Sequence, residues 1–364
     1  EARDKEQGRV VRDELQKKEA TLREIQTERD IVWKQIPNLP SSDTPLGKDD
    51  TENVVIRKWG EVPEFSFPVK DHLELGETLG IINMEKAAKI TGARFAYIMG
   101  DLAKMEFGLV QLVMQKLTDP TFLKEAAEIA GEGCSDKPFM PVVPPVMIKP
   151  EIFEEMGRLE PAEDRYYIPS DDVYLIGSAE HTLGPLHRKE TLEEKDLPIR
   201  YLGFSTSFRR EAGSYGKDTR GILRVHQFDK LEMESFTTPD AGPTEQHFFV
   251  AVQEKLVQLL GLPYQVVLAC TGDQGSPNTR LVDIEMWMPS QGVYRETHSS
   301  DYMTDYQARR LKTKVKTKDG IVFAHMNDAT AFAVGRTLIA IIENNQQEDG
   351  SILVPEVLQP FVGK

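Results

Sequence analysis

Residues 208–232, FRREAGSYGKDTRGILRVHQFDKLE, place two dense polar patches on either side of a loop of small and charged residues. Arg209 and Glu211 alternate on one side of a predicted strand, and polar residues alternate again from Gln227 onward. The intervening residues 213–221 are rich in glycine and carry basic side chains. Two strands joined by a long, basic, glycine-bearing loop predict a hairpin that can fold over a polyphosphate.

The composition is that of a globular protein with a substantial core. The chain has 364 residues, 40% of them apolar, which predicts one large domain or two smaller ones. Apolar runs stay well short of 18 residues, so we expect no membrane-spanning helix. A net charge of −15 argues against a protein that coats nucleic acid generally, but it leaves open a local basic surface for one nucleic-acid partner.

The two cysteines, Cys134 and Cys270, lie far apart in the sequence. This usage predicts a reducing compartment, and we expect a cytoplasmic protein without a disulfide framework or a zinc site. The first residues, EARDKEQGRV, show neither an initiator Met nor a signal-peptide pattern, so we expect a fragment or a processed form.

Residues 1–35 are highly charged and favour a helix. Their apolar residues recur on alternating four- and three-residue steps that Lys18 and Arg29 interrupt, at Val11, Leu15, Leu22, Ile25 and Val32. This spacing predicts a narrow coiled-coil seam that needs a partner helix, and an ordinary amphipathic helix packed on its own domain is the alternative. Pro37 and Pro40 end the helix. We therefore predict two domains, residues 1–40 and residues 41–364.

The rest of the chain predicts an α+β domain around an antiparallel sheet. A long amphipathic helix over residues 102–117 precedes a strand over residues 139–143 that prolines end. Further strands are predicted at residues 54–60, 266–270 and 281–287, and a further helix at 335–344. The segment 119–137 contains breakers and gives no structural prediction.

Three of these segments resemble the defining motifs of class II aminoacyl-tRNA synthetases. Residues 208–232 resemble motif 2, the helix–strand–proline order of residues 102–145 resembles motif 1, and FAVGRTLIAIIEN at 332–344 resembles motif 3. Within the class, the chain resembles bacterial-type seryl-tRNA synthetases from about Leu22 onward. The resemblance implies a catalytic domain built on an antiparallel sheet flanked by helices, a homodimer formed through motif 1, and residues 1–40 as the remnant of a truncated coiled-coil arm that grips tRNA.

The resemblance also implies a reaction. A member of this family activates L-serine with ATP and Mg²⁺ to seryl-adenylate, then transfers the seryl group to the 3′ end of tRNA(Ser) or tRNA(Sec). Two other functions remain open, an amino acid:carrier-protein ligase and a catalytically silent paralogue that serves as a binding protein. Activation concentrates negative charge at the α-phosphate, so fixed cations and a metal are the expected catalytic devices.

By resemblance, Arg209 bridges the α-phosphate and the substrate carboxylate, a role that suits a planar, permanently charged guanidinium. Arg336 lies over the adenine and reaches the γ-phosphate, and these two arginines are the predicted catalytic residues. Glu296 and Ser299 hold Mg²⁺, which prefers oxygen ligands. The implied ATP-binding set is Arg209, Arg210, Glu211, Val225, Phe228, Glu296, Thr297, His298, Ser299 and Arg336. His298 could also serve as a metal ligand or a base, but its family counterpart does neither, so a packed or surface histidine is the favoured alternative interpretation. In the loop, Lys217, Asp218 and Arg220 are implied to contact the pyrophosphate end and the acceptor stem.

A serine site must reject alanine, which lacks the hydroxyl, and does so by leaving its own polar groups unpaired. The implied serine-binding set is Ser178, Ala179, Glu180, Arg209, Glu232, Asn327 and Thr330. Counting back from Arg336 places Asp328 where the family carries an asparagine. Either Asn327 reaches the pocket through a bulge or Asp328 replaces it.

Overall fold

The computed structural model describes residues 2–212 and 220–363. The chain divides into two compact units, residues 1–38 and residues 39–364. The implied loop residues Lys217 and Asp218 lie outside the described residues.

The first unit is one long helix, α1 (Ala2–Lys34). The five apolar residues of the predicted seam are all more than half exposed, from 54% at Leu22 to 62% at Val32. Because a 33-residue helix with an exposed apolar seam gains little from burial, its hydrophobic stabilisation has to come from a partner surface.

The second unit is an α+β domain. Its strands are β1 (Val54–Trp59), β2 (Ile82–Asn83), β3 (Tyr97–Ile98), β4 (Met140–Val142), β5 (Met147–Ile148), β6 (Tyr167–Ile168), β7 (Val173–Leu175), β8 (Thr191–Glu193), β9 (Ile199–Phe208), β10 (Gln227–Thr237), β11 (Tyr264–Leu268), β12 (Arg280–Met288), β13 (Val293–Tyr302), β14 (Lys314–Thr317), β15 (Gly320–Phe323) and β16 (His325–Ala333). Its helices are α2 (His72–Thr78), α3 (Met84–Ile90), α4 (Gly100–Lys116), α5 (Pro120–Ala130), α6 (Pro150–Glu155), α7 (Glu180–Leu183), α8 (Gly242–Leu259), α9 (Tyr306–Leu311), α10 (Val334–Asn344) and α11 (Gln359–Val362).

The main sheet has eight strands in the order β1-β11-β12-β13-β16-β10-β9-β4. All neighbours pair antiparallel except β4, which pairs parallel to β9 at the edge. The predicted hairpin is confirmed, because Phe208 at the end of β9 pairs with Gln227 at the start of β10. Helices α4, α8 and α10 contribute buried apolar residues to the largest core cluster, together with residues of the central strands.

The segment without a structural prediction, residues 119–137, contains the helix α5. Asp119 caps its N-terminus by accepting a hydrogen bond from the Thr121 backbone N–H at 2.9 Å, and Pro120 occupies the first turn. Phe122 and Leu123 lie on its buried face and join the main core. Asp119 and Pro120 therefore mark the start of a helix in the sequence, and the glycines that follow Ala130 mark only its end.

Among the described helices, none combines the length and the apolar character that crossing a membrane requires.

Candidate active site

One cavity gathers residues from motifs 2 and 3 and from β13. It lies where β9, β10, β13 and β16 meet the start of α10. Its lining residues are Arg209, Glu211, Ile222, Leu223, Val225, Phe228, Lys230, Glu296, Thr297, Ser299, Thr330, Ala333, Gly335 and Arg336. The ATP-binding residues predicted from the sequence therefore converge on a single site, with two exceptions described below.

Motif 2 holds Arg209 from several sides. Its backbone N–H donates to the carbonyl of His226 at 3.0 Å, which continues the β9–β10 pairing by one residue. Its Nε donates to the carbonyl of Gly177 at 3.1 Å, and its guanidinium carbon lies 5.4 Å from the centroid of the Phe228 ring. These contacts fix a cation beside an aromatic ring, an arrangement that suits a nucleotide with its phosphates at one end.

Glu211 lies three residues beyond the end of β9 and has a φ of 55°, a left-handed conformation that is uncommon for a residue other than glycine. Its carboxylate accepts a hydrogen bond from Arg224 Nη1 at 2.7 Å. This ion pair spans the mouth of the hairpin, so the carboxylate is held at the cavity by a partner from the second half of motif 2.

A β-bulge in β13 determines which side chains face the cavity. Glu285 pairs with Glu296 while Ile284 pairs with His298, so Thr297 is the extra residue. In a regular strand, residues three apart point to opposite faces. The extra residue at Thr297 brings Glu296 and Ser299 to the same cavity, where both supply oxygen atoms. The donor set therefore fits a hard divalent cation such as Mg²⁺.

Arg336 lies in the first turn of α10 and pairs with Glu296. Its Nη1 lies 2.9 Å from the backbone carbonyl of Glu296 and 3.3 Å from the carboxylate atom Oε1. The Glu296 side chain is 52% exposed, so desolvation raises its pKa only in part; the charges of Arg336 and Arg209 outweigh this effect and the pKa is lowered. Glu296 is therefore ionised at neutral pH and available as an anionic ligand.

A second bulge, in β16, decides between Asn327 and Asp328. Leu231 pairs with Phe332 while Glu232 pairs with Thr330, so Ala331 is the extra residue. Thr330 thereby shares a face with Glu232, and two residues earlier Asp328 pairs with Glu234 on that same face. The structure therefore brings Asp328, and not Asn327, to the face of Glu232: Asn327 points to the other face, where its Nδ2 donates to the Gly242 carbonyl at 3.3 Å.

Behind the cavity lies a buried acidic cluster. Carboxylate oxygens of Glu180, Glu232 and Asp328 all lie within 4.8 Å of one another. Arg158 reaches this cluster from a distant part of the sequence and forms ion pairs with Glu180 at 3.0 Å, Asp328 at 3.0 Å and Asp301 at 2.7 Å. Three carboxyl groups are thus brought together around one buried guanidinium.

Lys230 separates the acidic cluster from the open cavity. It is 7% exposed, lines the cavity, and places its Nζ 2.5 Å from Glu232 Oε2. Ser178 Oγ donates to the same carboxylate oxygen at 3.1 Å. Of the residues implied to bind serine, Arg209 and Thr330 thus line the open cavity, whereas Ser178, Glu180 and Glu232 lie buried behind Lys230 and Ala179 is fully buried next to them.

The carboxyl groups of the cluster differ in their affinity for protons. Burial acts to raise the pKa of Glu180, but Arg158 and His181 outweigh it and hold the pKa well below its ordinary value. Burial raises the pKa of Glu232 to about 7, with the ion pair to Lys230 opposing the shift. Burial and the charge of Glu180 raise the pKa of Asp328 and Glu234 well above the ordinary range.

Two residues implied to bind ATP lie elsewhere. His298 is 1% exposed, its ring packs against Phe332 at a centroid distance of 5.5 Å, and burial lowers its pKa to about 3. It is the packed histidine of the alternative interpretation, because the bulge at Thr297 turns it away from the cavity. Arg210 is exposed and lies over Tyr166, with 5.5 Å between its guanidinium carbon and the ring centroid, so it is also outside the cavity.

Sequence reasoning missed two cations of the site, Arg158 and Lys230. Lys230 could have been found, because it lies two residues before Glu232 on one strand and must share its face. Arg158 gave no comparable signal, since its partners Asp301 and Asp328 are 143 and 170 residues away in the chain.

Comparisons with known proteins agree with this arrangement. Residues 164–345 match the family model of the tRNA synthetase class II core domain (G, H, P, S and T). The chain is 40% identical over 358 residues to a serine–tRNA ligase of Thermodesulfovibrio yellowstonii, which covers 98% of this chain and 80% of that protein. It is 42% identical over 354 residues to a serine–tRNA ligase of Thermobifida fusca, covering 96% of this chain and 79% of that protein.

A solved structure gives the same result. The crystal structure of seryl-tRNA synthetase from Pyrococcus horikoshii, complexed with ATP, superposes with a TM-score of 0.87 at 35% identity, over 95% of this chain and 79% of that one. These names give no support to a carrier-protein ligase or a silent paralogue. The chain belongs to the serine–tRNA ligases, a family of ATP-dependent aminoacyl-tRNA ligases of class II.

Proposed function

We propose that the cavity binds ATP with Mg²⁺, that the buried pocket behind it binds L-serine, and that Arg209 joins the two substrates. The observation that carries the proposal is the convergence of Arg209, Glu296 and Arg336 on one cavity. The serine carboxylate and the ATP phosphates are both anions, so the attack of one on the other requires fixed positive charge. Arg209 and Arg336 supply it, and the ionised Glu296 carboxylate can hold a metal ion beside them.

The adenine end of the cavity is formed by motif 2. Phe228 offers a ring face, Val225 offers backbone groups at its buried position, and Glu211 offers a carboxylate acceptor for an amino group. Stacking of a base on an aromatic ring contributes roughly 1–3 kcal/mol, so Phe228 supplies affinity while Glu211 supplies selectivity for an amino-substituted base.

The phosphate end is formed by Arg209, Arg336 and the oxygen atoms of Glu296 and Ser299. A divalent cation bound there would neutralise charge on the phosphate oxygens and polarise the α-phosphorus. Arg336 already pairs with the Glu296 carboxylate, so this carboxylate is held in place by the cation next to which a metal would bind. The bulge at Thr297 is what allows both oxygen ligands to face the phosphates.

The amino-acid end is the buried pocket. We assign the substrate ammonium to Glu232 and Glu180, and the side-chain hydroxyl to the face shared by Glu232 and Thr330. Lys230 now pairs with Glu232, so an incoming ammonium competes with the Lys230 ammonium for one carboxylate. If the substrate ammonium replaces the Lys230 ammonium at Glu232, Lys230 is released toward the ATP cavity. Amino-acid binding would then supply a further cation next to the phosphates.

The chemistry then takes two steps. A carboxylate oxygen of serine attacks the α-phosphorus of ATP, the bond from that phosphorus to the bridging oxygen breaks, and pyrophosphate leaves. A ribose hydroxyl at the 3′ end of the tRNA next attacks the seryl carbonyl, and AMP leaves. Arg209 stabilises the charge that accumulates in the first step. The proposed acceptors are tRNA(Ser) and tRNA(Sec), and the proposed location of the reaction is the cytoplasm.

Two exposed apolar surfaces support the proposed assembly. The motif 1 segment exposes Phe107 on α4 and Met140 on β4, each by more than 60%, which fits a homodimer formed through motif 1. The exposed seam of α1 fits one helix of a two-helix arm that contacts tRNA, with residues 1–40 as the arm segment and 41–364 as the catalytic domain.

The test is serine-dependent exchange of pyrophosphate into ATP, with the Arg209→Ala variant beside the wild type. We expect exchange with serine and a loss of about 10²–10³-fold in the variant, the size found for deletion of one charge-stabilising donor. Arg57→Ala is the matched control, because Arg57 pairs with Glu254 away from the cavity and should keep the wild-type rate. An Arg209→Ala enzyme with wild-type exchange would refute the assignment.

A further inference from the structure

The acidic face behind the cavity carries more carboxyl groups than its ion pairs use. Arg158 pairs with Glu180, Asp301 and Asp328, and Lys230 pairs with Glu232. Glu234 is the fifth carboxyl group of this region, and its side chain is fully buried. Both of its carboxylate oxygens lack a hydrogen-bond partner among the described residues, and so does Glu232 Oε1.

Glu234 faces the same pocket as the proposed serine ligands. It lies two residues after Glu232 on β10, and its pairing partner on β16 is Asp328, two residues before Thr330. Asp301 on β13 pairs in turn with Asp328, which brings the third strand into the same face. The charge of Glu234 also interacts with those of Glu180 and Glu232, so the free oxygens lie in the cluster and not on a separate surface.

Buried acceptors without donors are costly, on the order of 1–3 kcal/mol for each such group. Serine brings one ammonium and a hydroxyl, and a hydroxyl has a single hydrogen to donate. The three free carboxylate oxygens exceed what that hydroxyl can satisfy. A second ammonium in the place of the hydroxyl offers three donors and a positive charge.

We propose that this pocket also takes small α,β-diamino acids as substrates, with Glu234 as the residue that selects the side-chain ammonium. The smallest member of this class is L-2,3-diaminopropionate, which has the same number of non-hydrogen atoms as serine. Steric fit is therefore common to both amino acids, and charge alone distinguishes them. This inference rests on the proposed function, because it concerns the amino-acid pocket of the same activation reaction.

The activation step itself is unchanged for such a substrate. The α-carboxylate attacks the α-phosphorus and pyrophosphate leaves, while the α-ammonium occupies the position assigned to that of serine. The side-chain ammonium lies toward Glu234 and Glu232 Oε1. Burial raises the pKa of both carboxyl groups, and a neighbouring cation would return them to the ionised form.

The experiment is ATP–pyrophosphate exchange by the full chain with L-serine, L-2,3-diaminopropionate and L-alanine. We expect diaminopropionate to support exchange with a kcat/KM within about tenfold of that for serine and about 100-fold or more above that for alanine, which leaves the acceptors unpaired. Exchange with serine but no more with diaminopropionate than with alanine would overturn this inference and leave the proposed function standing. Exchange with neither serine nor diaminopropionate would overturn both.

The Glu234→Gln variant locates the selectivity. It keeps the shape but removes the carboxyl group that a substrate ammonium would ionise, and we expect it to reduce the diaminopropionate-to-serine ratio of kcat/KM by about tenfold or more, as for a lost hydrogen bond to a charged group. Glu254→Gln is the control, since Glu254 on α8 pairs with Arg57 on β1 and the variant should keep the wild-type ratio. An equal loss for both substrates in Glu234→Gln would refute the role of Glu234, and the wild-type comparison decides the substrate class without any variant.

Discussion

Replacing Arg158 with Met should destabilise the catalytic domain strongly. The guanidinium lies 2.7–3.0 Å from three carboxylate oxygens, and its side chain is only 16% exposed. Removing one partner of a buried ion pair costs about 3–5 kcal/mol, because the remaining charge stays buried without compensation. Methionine roughly retains the volume of the aliphatic stem, so the loss reports charge and not a cavity.

The pH dependence of this loss follows from Glu180. In the wild type its folded-state pKa is lowered below the unfolded value, so its contribution to stability is present above the unfolded pKa and is lost as the pH falls through the folded pKa. Without Arg158, burial dominates and the folded-state pKa of Glu180 rises above the unfolded value. The variant then gains stability on acidification, and the difference between the two proteins is largest near pH 7.5 and smaller at pH 5.

Urea unfolding followed by tryptophan fluorescence at pH 7.5 and pH 5.0 measures both effects. Arg188→Met is the control, since Arg188 pairs with Glu155 where both side chains are about one quarter exposed, and we expect it to cost less than about 1 kcal/mol. A loss below about 1 kcal/mol for Arg158→Met at pH 7.5, or a difference that widens at pH 5, would refute the reasoning.

Two further predictions concern β13. Glu296→Gln removes the anionic ligand proposed for Mg²⁺, so we expect serine-dependent exchange to need a higher Mg²⁺ concentration and to fall by about tenfold or more at limiting Mg²⁺; a titration curve identical to that of the wild type would contradict the assignment. His298 has a pKa near 3 in the folded protein and near 6.5 when unfolded, so folding opposes its protonation and stability falls as the pH drops below about 6.5. Between pH 7 and pH 5 we expect the His298→Gln variant to lose up to about 2 kcal/mol less stability than the wild type. Urea unfolding midpoints at the two pH values measure this loss, and a variant whose midpoint shifts as much as that of the wild type would exclude the effect.

The sequence predicted those parts of the site that local patterns determine. Arg209 and Phe228 lie on strands whose alternation and connecting loop mark a hairpin, and the helix carrying Arg336 begins with a clear apolar periodicity. The long helix of residues 102–117 was placed within two residues of α4. These features depend on spacing along the chain, which a single sequence contains.

The parts of the site that the sequence alone does not determine depend on pairing between strands. Whether Asn327 or Asp328 enters the pocket depends on the bulge at Ala331, which is visible only when β16 is laid against β10. The same holds for His298, because the bulge at Thr297 reverses the face on which this residue lies. Arg158 reaches its partners through tertiary packing alone, and no periodicity in the sequence marks it.

The two bulges also determine which kinds of genetic change the site tolerates. A substitution at Thr297 or Ala331 leaves the number of residues in the strand unchanged, so the side chains beyond it keep their direction. Loss of the codon for either bulge residue would leave a regular strand in which Glu296 and Ser299, or Thr330 and Ala333, stand two residues apart and therefore still share a face. The proposed metal ligands on β13 and the proposed pocket residues on β16 would thus keep their direction after a single in-frame deletion of three nucleotides, provided that the deletion removes the bulge residue itself.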